Sequence, residues 1–396
     1  MSLNKHIGVV LIITLLINII SFNVVKGEEN TTDKSDIELE IESPSAVLME
    51  AKTGKVLFEK NMNEKRFPAS TTKIMTLLLI YEAVEKGKIS WDDIVTVSEH
   101  AASMGGSQVY LEQNEQQTVK TLTKCIAIAS ANDAAVAMAE HIAGSEEAFV
   151  KMMNEKAKEL GMKNTNFVNA CGLHDDSHFT SAYDIALMSR ELINKYPEIH
   201  ELATIWQDTI IHETRRGKEE FGLTNTNNLF KWYKGANGLK TGFTQQSMYC
   251  LSATAKRDEL SLISVVMGAK SKQARNSEVA KMLDYGFANF AIIKGEPVGK
   301  VVGSVKVNKG SSPNVNGIIK KQVQLLVNKN MADEKIEYKV ELPEAIQAPV
   351  KKGDKIGNII YTFQGKEIGS SDIIAEDSIE KASFNTMFKL ILKEWF

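Results

Sequence analysis

The chain has 396 residues, 43% of them hydrophobic and 24% charged, an ordinary globular composition with room for two domains and a large core. Its formal net charge of -3 supplies no general basic field, which argues against a nucleic-acid partner. Three cysteines, Cys125, Cys171 and Cys250, are too few and too scattered for a disulfide framework or a zinc site, and read as buried core residues.

At the N-terminus, Lys5 precedes an almost uncharged apolar run over residues 7–25. Val25 and Gly27 suit signal-peptidase cleavage after Gly27, while Asn18 and Asn23 shorten the apolar core and weigh against a permanent anchor. The expectation is a signal peptide over residues 1–27, followed by a polar, acid-rich spacer over 28–43. Beyond it, no internal apolar run is long enough to cross a bilayer.

Order is expected from Pro44. Apolar segments at 45–50 and 55–59 flank Lys52-Thr53-Gly54, a hairpin signal. Pro68, ahead of a long apolar stretch ending at Lys86-Gly87, predicts a buried helix starting near Ser70. Residues 121–141, rich in alanine, predict a second helix, and 145–160 and 181–196 two more. Apolar strands follow at 249–254 and 260–267 around the turn Lys256-Arg257-Asp258, then a helix at 276–290. This order predicts an α+β domain over residues 44–290. From 291 to 373, segments at 301–307, 322–327 and 336–342 alternate apolar and polar residues between glycine-rich turns, which predicts a small all-β domain without a nucleophile cluster. In the final stretch, 376–396, Phe384, Met387, Phe388, Ile391, Leu392, Trp395 and Phe396 recur at helical spacing. This predicts an amphipathic helix lying in a membrane interface, too short and one-sided to span it.

Three short motifs carry chemistry. Ser70-Thr-Thr-Lys73 at a helix start puts a hydroxyl and an amine on one face, one turn apart. The helix N-terminus offers N–H donors to a developing oxyanion. Lys73 can accept the Ser70 proton only if burial, or a second cation nearby, lowers its pKa well below roughly 10.4. Ser130-Ala-Asn132 supplies a hydroxyl that can relay a proton to a leaving amine and an amide that can hold a substrate backbone. Lys240-Thr241-Gly242, just before an apolar strand, supplies two carboxylate ligands and a glycine that lets a substrate approach the strand edge. Each motif has accidental matches elsewhere, such as the Lys52-Thr53-Gly54 turn, but Ser70, Ser130 and Lys240 alone give the combined order in plausible settings. His174, Asp175 and His178 suggest a triad or a metal site at first sight, but read better as polar loop residues. No metal site or cofactor is expected.

With these motifs, and with Pro44-Ser-Ala-Val-Leu-Met-Glu, Pro68-Ala-Ser-Thr-Thr-Lys, Phe167-Val-Asn-Ala-Cys-Gly-Leu173 and Leu262-Ile-Ser-Val-Val-Met-Gly268, the chain resembles the D-alanyl-D-alanine carboxypeptidases, the low-molecular-mass penicillin-binding proteins. The resemblance implies a β-lactamase/transpeptidase-like catalytic fold and removal of the terminal D-alanine from peptidoglycan stem pentapeptides, with β-lactams acylating the same serine. It implies Ser70 as nucleophile, Lys73 as its proton acceptor and Ser130 as proton relay. Asn132 would contact the substrate amide, and Lys240, Thr241 and Arg275 the carboxylate. The backbone N–H groups of Ser70 and Phe243 would form the oxyanion hole. It implies too an exported enzyme on the outer face of the cytoplasmic membrane, held there by the C-terminal helix. A β-lactamase and a catalytically idle wall-binding or β-lactam-sensing protein are the alternatives. The family pattern has small residues and a glycine after Lys240-Thr-Gly-Phe-Thr; here Gln245-Gln-Ser-Met248 stands instead, with Met248 at a glycine-like position.

Overall fold

The computed structural model describes residues 39–214, 217–329 and 336–384. The expected signal peptide, most of the spacer and most of the terminal helix lie outside the described residues.

The strands are β1 (Ser45–Glu50), β2 (Val56–Lys60), β3 (Ile94–Thr96), β4 (Gln116–Thr118), β5 (Gln207–Thr214), β6 (Gly217–Thr224), β7 (Ala236–Thr244), β8 (Met248–Arg257) and β9 (Leu260–Ala269) in the first region. The second region holds β10 (Phe290–Lys294), β11 (Val301–Asn308), β12 (Asn314–Ile319), β13 (Gln324–Asn328), β14 (Glu337–Glu341), β15 (Ala345–Gln347), β16 (Lys355–Phe363) and β17 (Lys366–Ala375). The helices are α1 (Lys73–Glu85), α2 (Glu99–Ala102), α3 (Val119–Ile128), α4 (Asn132–Ala143), α5 (Glu146–Glu159), α6 (Ala182–Lys195), α7 (Ile199–Ala203) and α8 (Lys272–Asn289).

Five antiparallel strands form one sheet in the order β2-β1-β9-β8-β7, which leaves β7 on an edge. α6 and α8 both pack on this sheet. Its central strands accordingly bury both alternations, as the apolar run Ser264-Val-Val-Met267 requires. The predicted hairpin at 45–59 forms: the Glu50 carboxylate accepts Thr53 N–H and Oγ1, both at 2.6 Å. α1 is buried on every face from Lys73 to Ala83 and is surrounded by α3, α4, α5 and α6, as expected of a helix apolar all round.

One expectation needs correction in this region. Residues 121–141 are not one helix. α3 stops at Ile128 and α4 starts at Asn132, because Ser130 is left-handed (φ 62°), which no L-residue can adopt inside an α-helix. The chain around Lys240 does precede the predicted apolar strand, β8, and is itself a strand, the edge strand β7. The hairpin β5–β6 was not anticipated. Among its described residues it buries Ile210, His212 and Leu223, so too few apolar residues mark it in the sequence.

The second region is a six-stranded sheet, β14-β16-β17-β12-β11-β15, beside the pair β10-β13. Its core gathers Val305 and Val307 from a predicted alternating segment, and Val315, Ile319, Ile359 and Ile373 from β12, β16 and β17, which were not among the predicted segments. The helix expected from residue 376 does not begin there. Residues 376–383 are non-helical, with Ile379 bridging Val350 and Lys381 bridging Gly310. Ile379 joins the β core instead. Cys125, Cys171 and Cys250 are free and buried, as their scatter suggested.

Candidate active site

Ser70 lies on a short 3-10 turn, Ala69–Thr72, that runs directly into α1. Ala69 enters it at φ 48°, a strained conformation for a residue with a Cβ. The surroundings hold it there. A Cβ on Gly172 would fall 1.9 Å from Ala69 O, and a Cβ on Gly242 would fall 2.8 Å from Pro68 O and 3.1 Å from Ser70 N. Both positions therefore demand glycine, and strand β7 is seated against the Ser70 turn. Phe243, whose N–H was expected in the oxyanion hole, is the next residue along that strand.

Side chains three apart eclipse on a 3-10 turn, so Lys73 reaches back to Ser70. Its Nζ donates to Ser70 Oγ at 3.1 Å, Asn132 Oδ1 at 2.6 Å and Cys171 O at 2.6 Å. These acceptors are neutral. Lys73 is fully buried, and burial pushes its pKa from 10.5 down to about 8. An amine so placed is a usable proton acceptor near neutral pH.

Ser130 is buried at the α3–α4 break, and its Oγ has no hydrogen-bond partner in the described structure. The left-handed backbone that ends α3 holds the hydroxyl on the cleft with nothing competing for it. Both ends of the Asn132 amide are engaged: Oδ1 accepts from Lys73, and Nδ2 donates to Gly105 O at 2.6 Å. The buried Asp133 carboxylate accepts Val109 N–H and Leu111 N–H and so fastens the preceding loop, whose Ser107 O accepts Asn132 N–H at 2.7 Å.

Lys240, on the strand seated against the Ser70 turn, and Arg275, at the start of α8, are almost completely buried. Lys240 Nζ makes one long contact, 3.4 Å to Thr241 O. Burial, then the neighbouring charges of Lys73 and Arg275, holds its pKa well below the usual lysine value. Burial lowers Arg275 to about 10. No carboxylate pairs with either among the described residues. Buried charges are ordinarily paired, so the Arg275 guanidinium and the neighbouring Lys240 amine, neither with a carboxylate partner, suit a ligand anion, whose charge would favour the protonated lysine. Thr241 Oγ1, on Thr226 Oγ1 at 2.7 Å, lies beside them.

Sequence reading missed what aims the arginine. Arg275 Nε donates to Asn276 Oδ1 at 3.0 Å, and Asn276 Nδ2 donates to Asn228 Oδ1 at 2.8 Å. This chain occupies one edge of the guanidinium and leaves the other to a ligand. Adjacency to Arg275 was a signal for Asn276; Asn228, 48 residues away, had none. The whole cleft measures about 1080 Å³ and takes in Ser70, Ser130, Thr241 and Arg275, with Trp206 and Trp232 farther along.

His178 is not a base for Ser70. Its Nδ1 accepts Val168 N–H at 3.2 Å, so Nε2 carries the proton toward Thr72 Oγ1 at 2.8 Å. Burial lowers its pKa to about 4, and the neutral ring serves as a strut. His174 stands edge-on to Phe67. Met248 sits at φ 54° opposite Thr244 at the mouth of the β7–β8 hairpin, a left-handed position that glycine adopts without strain. It is half-exposed beside the Phe243–Tyr249 ring pair.

The family model for D-alanyl-D-alanine carboxypeptidase matches residues 29–271, and that for the penicillin-binding protein 5 C-terminal domain matches residues 293–381. The chain is 44% identical to D-alanyl-D-alanine carboxypeptidase DacF of Bacillus subtilis, over 97% of this chain and 98% of that protein. It is 33% identical to DacA of Escherichia coli, over 90% and 89%. Among solved structures it resembles penicillin binding protein 5 of Haemophilus influenzae, with a TM-score of 0.75 at 32% identity over 86% of this chain and 98% of that one. It also resembles the ampicillin-bound penicillin-binding protein D2 of Listeria monocytogenes, with a TM-score of 0.55 at 32% identity over 63% and 99%. With a catalytic-domain model covering more than half its length and relatives matched nearly end to end, the chain belongs to the D-alanyl-D-alanine carboxypeptidase family.

Proposed function

We propose that the protein removes the terminal D-alanine from peptidoglycan stem pentapeptides through an acyl-enzyme on Ser70. The observation that carries this reading is a hydroxyl 3.1 Å from a buried amine of pKa about 8, on a cleft that Thr241 and the unpaired Arg275 line, with the buried Lys240 next to Thr241 in β7. A peptide with a free C-terminal carboxylate matches that pattern. The carboxylate sits on Lys240, Thr241 and Arg275. Neutral Lys73 takes the Ser70 proton as Oγ bonds to the carbonyl carbon of the last peptide bond. The N–H groups of Ser70 and Phe243 receive the oxyanion. As the C–N bond breaks, Ser130 Oγ–H protonates the departing D-alanine nitrogen and is reprotonated from Lys73. Water then hydrolyses the ester. Asn132 orients Lys73 in the free enzyme, and Nδ2 exchanges Gly105 O for the substrate backbone when the substrate binds.

A β-lactam presents a strained amide beside a carboxylate and follows the same path as far as the ester. The family match favours this reading over a β-lactamase or an idle wall-binding protein. Labelled penicillin is expected on Ser70 by mass spectrometry, and Ser70→Ala is expected to abolish both labelling and D-alanine release from a pentapeptide. An adduct on a different serine refutes the assignment.

We also propose that the enzyme is exported and rests on the outer face of the cytoplasmic membrane through residues 384–396. Among the described residues no helix is long and apolar enough to cross a membrane. Phe384, at the end of the described chain, is 85% exposed, and the apolar stripe that it begins has aromatic and lysine residues suited to an interface. Deleting residues 383–396 should yield a soluble enzyme with full D-alanine release. Sedimentation of the truncated enzyme with membranes would transfer the anchor to the N-terminus.

A further inference from the structure

A second cleft, about 740 Å³, opens where the turn between β1 and β2 meets the second region. Lys52 and Thr53 line it from the first side, and Lys320, Lys321 and Lys355 from the second. Apart from Val323, the rest of the lining (Gln322, Gln324, Asn358, Ser370 and Ser371, with Asp372) is polar, and the five amide and hydroxyl side chains can each donate a hydrogen bond. Asp372 is the one acid that lines it, and it is already engaged by Lys320 at 3.0 Å and Lys355 at 2.7 Å. Lys52 and Lys321 have no acidic partner among the described residues. Four cations against one anion make the cleft positive, on a chain whose net charge is -3.

The walls are fixed rather than floppy. On one side the buried Glu50 carboxylate holds the turn through Lys52 N–H, Thr53 N–H and Thr53 Oγ1, while Arg190 Nη2 donates to Lys52 O at 2.6 Å. On the other, Lys320 N–H donates to Asp372 O at 3.1 Å and Ser371 Oγ to Lys321 O at 2.8 Å. The lysine stems thus leave rigid backbone and converge on one hollow. A concave surface lined by one sign of charge focuses its field inward, and pre-fixed donors lower the ordering cost of binding.

We propose that this cleft binds an extended polyanion, a chain bearing repeated phosphate or carboxylate groups, and so holds the enzyme along an anionic polymer. Concavity decides between polymer and membrane: a flat sheet of headgroups cannot enter a hollow, whereas a single strand can lie in it. The site is separate from the cleft around Ser70, so its failure and a failure of the proposed peptidase reaction are distinguishable.

The test uses the full-length protein with two probes, inorganic polyphosphate and poly-glutamate, and measures binding by calorimetry across a salt series. Binding of one or both is expected, with log K falling against log salt at a slope of about -2 to -3 for three or four neutralised lysines. The probe that binds tighter identifies phosphate or carboxylate as the preferred group. Replacing the four lysines (K52Q, K320Q, K321Q, K355Q) should weaken binding roughly tenfold or more at low salt and leave pentapeptide turnover unchanged. Asp372→Asn, which removes the one acid without emptying the core, should tighten binding. A control with four exposed lysines elsewhere replaced (K88Q, K120Q, K158Q, K163Q) should bind like wild type. Equal loss in that control, no response to Asp372→Asn, or tighter binding to anionic vesicles than to either polymer overturns the proposal.

Discussion

The two regions of this protein bury different things. Among the described residues, every buried serine, threonine, asparagine, glutamine, histidine or charged side chain lies between Ser43 and Glu278. Beyond residue 290 the buried set is aliphatic, apart from Tyr361. The β region obeys the ordinary rule that apolar residues face in and polar ones out. The first region breaks it with Lys73, Lys240 and Arg275 and adds left-handed backbone at Ala69 and Ser130. Buried unpaired charge and strained backbone cost stability and persist where chemistry needs them. The contrast alone marks which region reacts.

The largest effect that would sharpen this contrast is at Lys73. Lys73→Arg keeps the charge but cannot lose its proton at usable pH, so acylation by labelled penicillin should slow by about 10²–10⁴. In the wild type the acylation rate should rise with pH through about 8, as Lys73 deprotonates; Lys73→Arg should lose that limb. Lys240→Arg retains a cation for the carboxylate and should hurt less; equal losses would erase the distinction between the two lysines.

A smaller effect concerns how Arg275 is aimed. Asn276→Ala frees the guanidinium edge while leaving its charge. It should lower kcat/KM about tenfold for peptides ending in a free carboxylate, the worth of one hydrogen bond to a charged group. Peptides ending in a carboxamide should be little affected. Equal loss on both substrates would reduce Asn276 to a packing residue.

Stability should move in opposite directions in the two regions. Lys240→Met replaces an unpaired buried cation by an apolar chain of similar length. It should raise the melting temperature by about 2–4 °C, the shift that roughly 1 kcal/mol produces in a domain of this size, while impairing turnover. Ile359→Ala, at a fully buried β-core position, should cost about 2–5 kcal/mol and leave the acylation rate of folded protein as it was. The ionisation of Lys73 adds a pH signature. Its folded pKa, about 8, lies below the free value of roughly 10.4, so the unfolded chain binds more protons between them. The Lys73 contribution to stability should therefore grow as pH rises from about 8 to about 10.4, visible as a pH-dependent difference between the melting temperatures of wild type and Lys73→Arg.

Local patterns in the chain by themselves determined a good deal: the β1–β2 hairpin, the strands β8 and β9, the alternating β region and the helices α5, α6 and α8. Each is written in a short window, as a hydrophobic period or a turn residue that needs no distant partner. The order of Ser70, Ser130 and Lys240 was legible too, because the spacing of reactive residue types survives in one dimension. Tertiary structure alone decided the rest. The break at Ser130 overrides an alanine-rich helical pattern, and Ile379, in the stretch expected to open the terminal helix, joins the β core. Asn276 and Asn228 meet across 48 residues, and Lys52 faces Lys320 across the second cleft. The lowered pKa of Lys73 belongs with these, since desolvation is a property of everything packed around a group and of no single stretch of sequence.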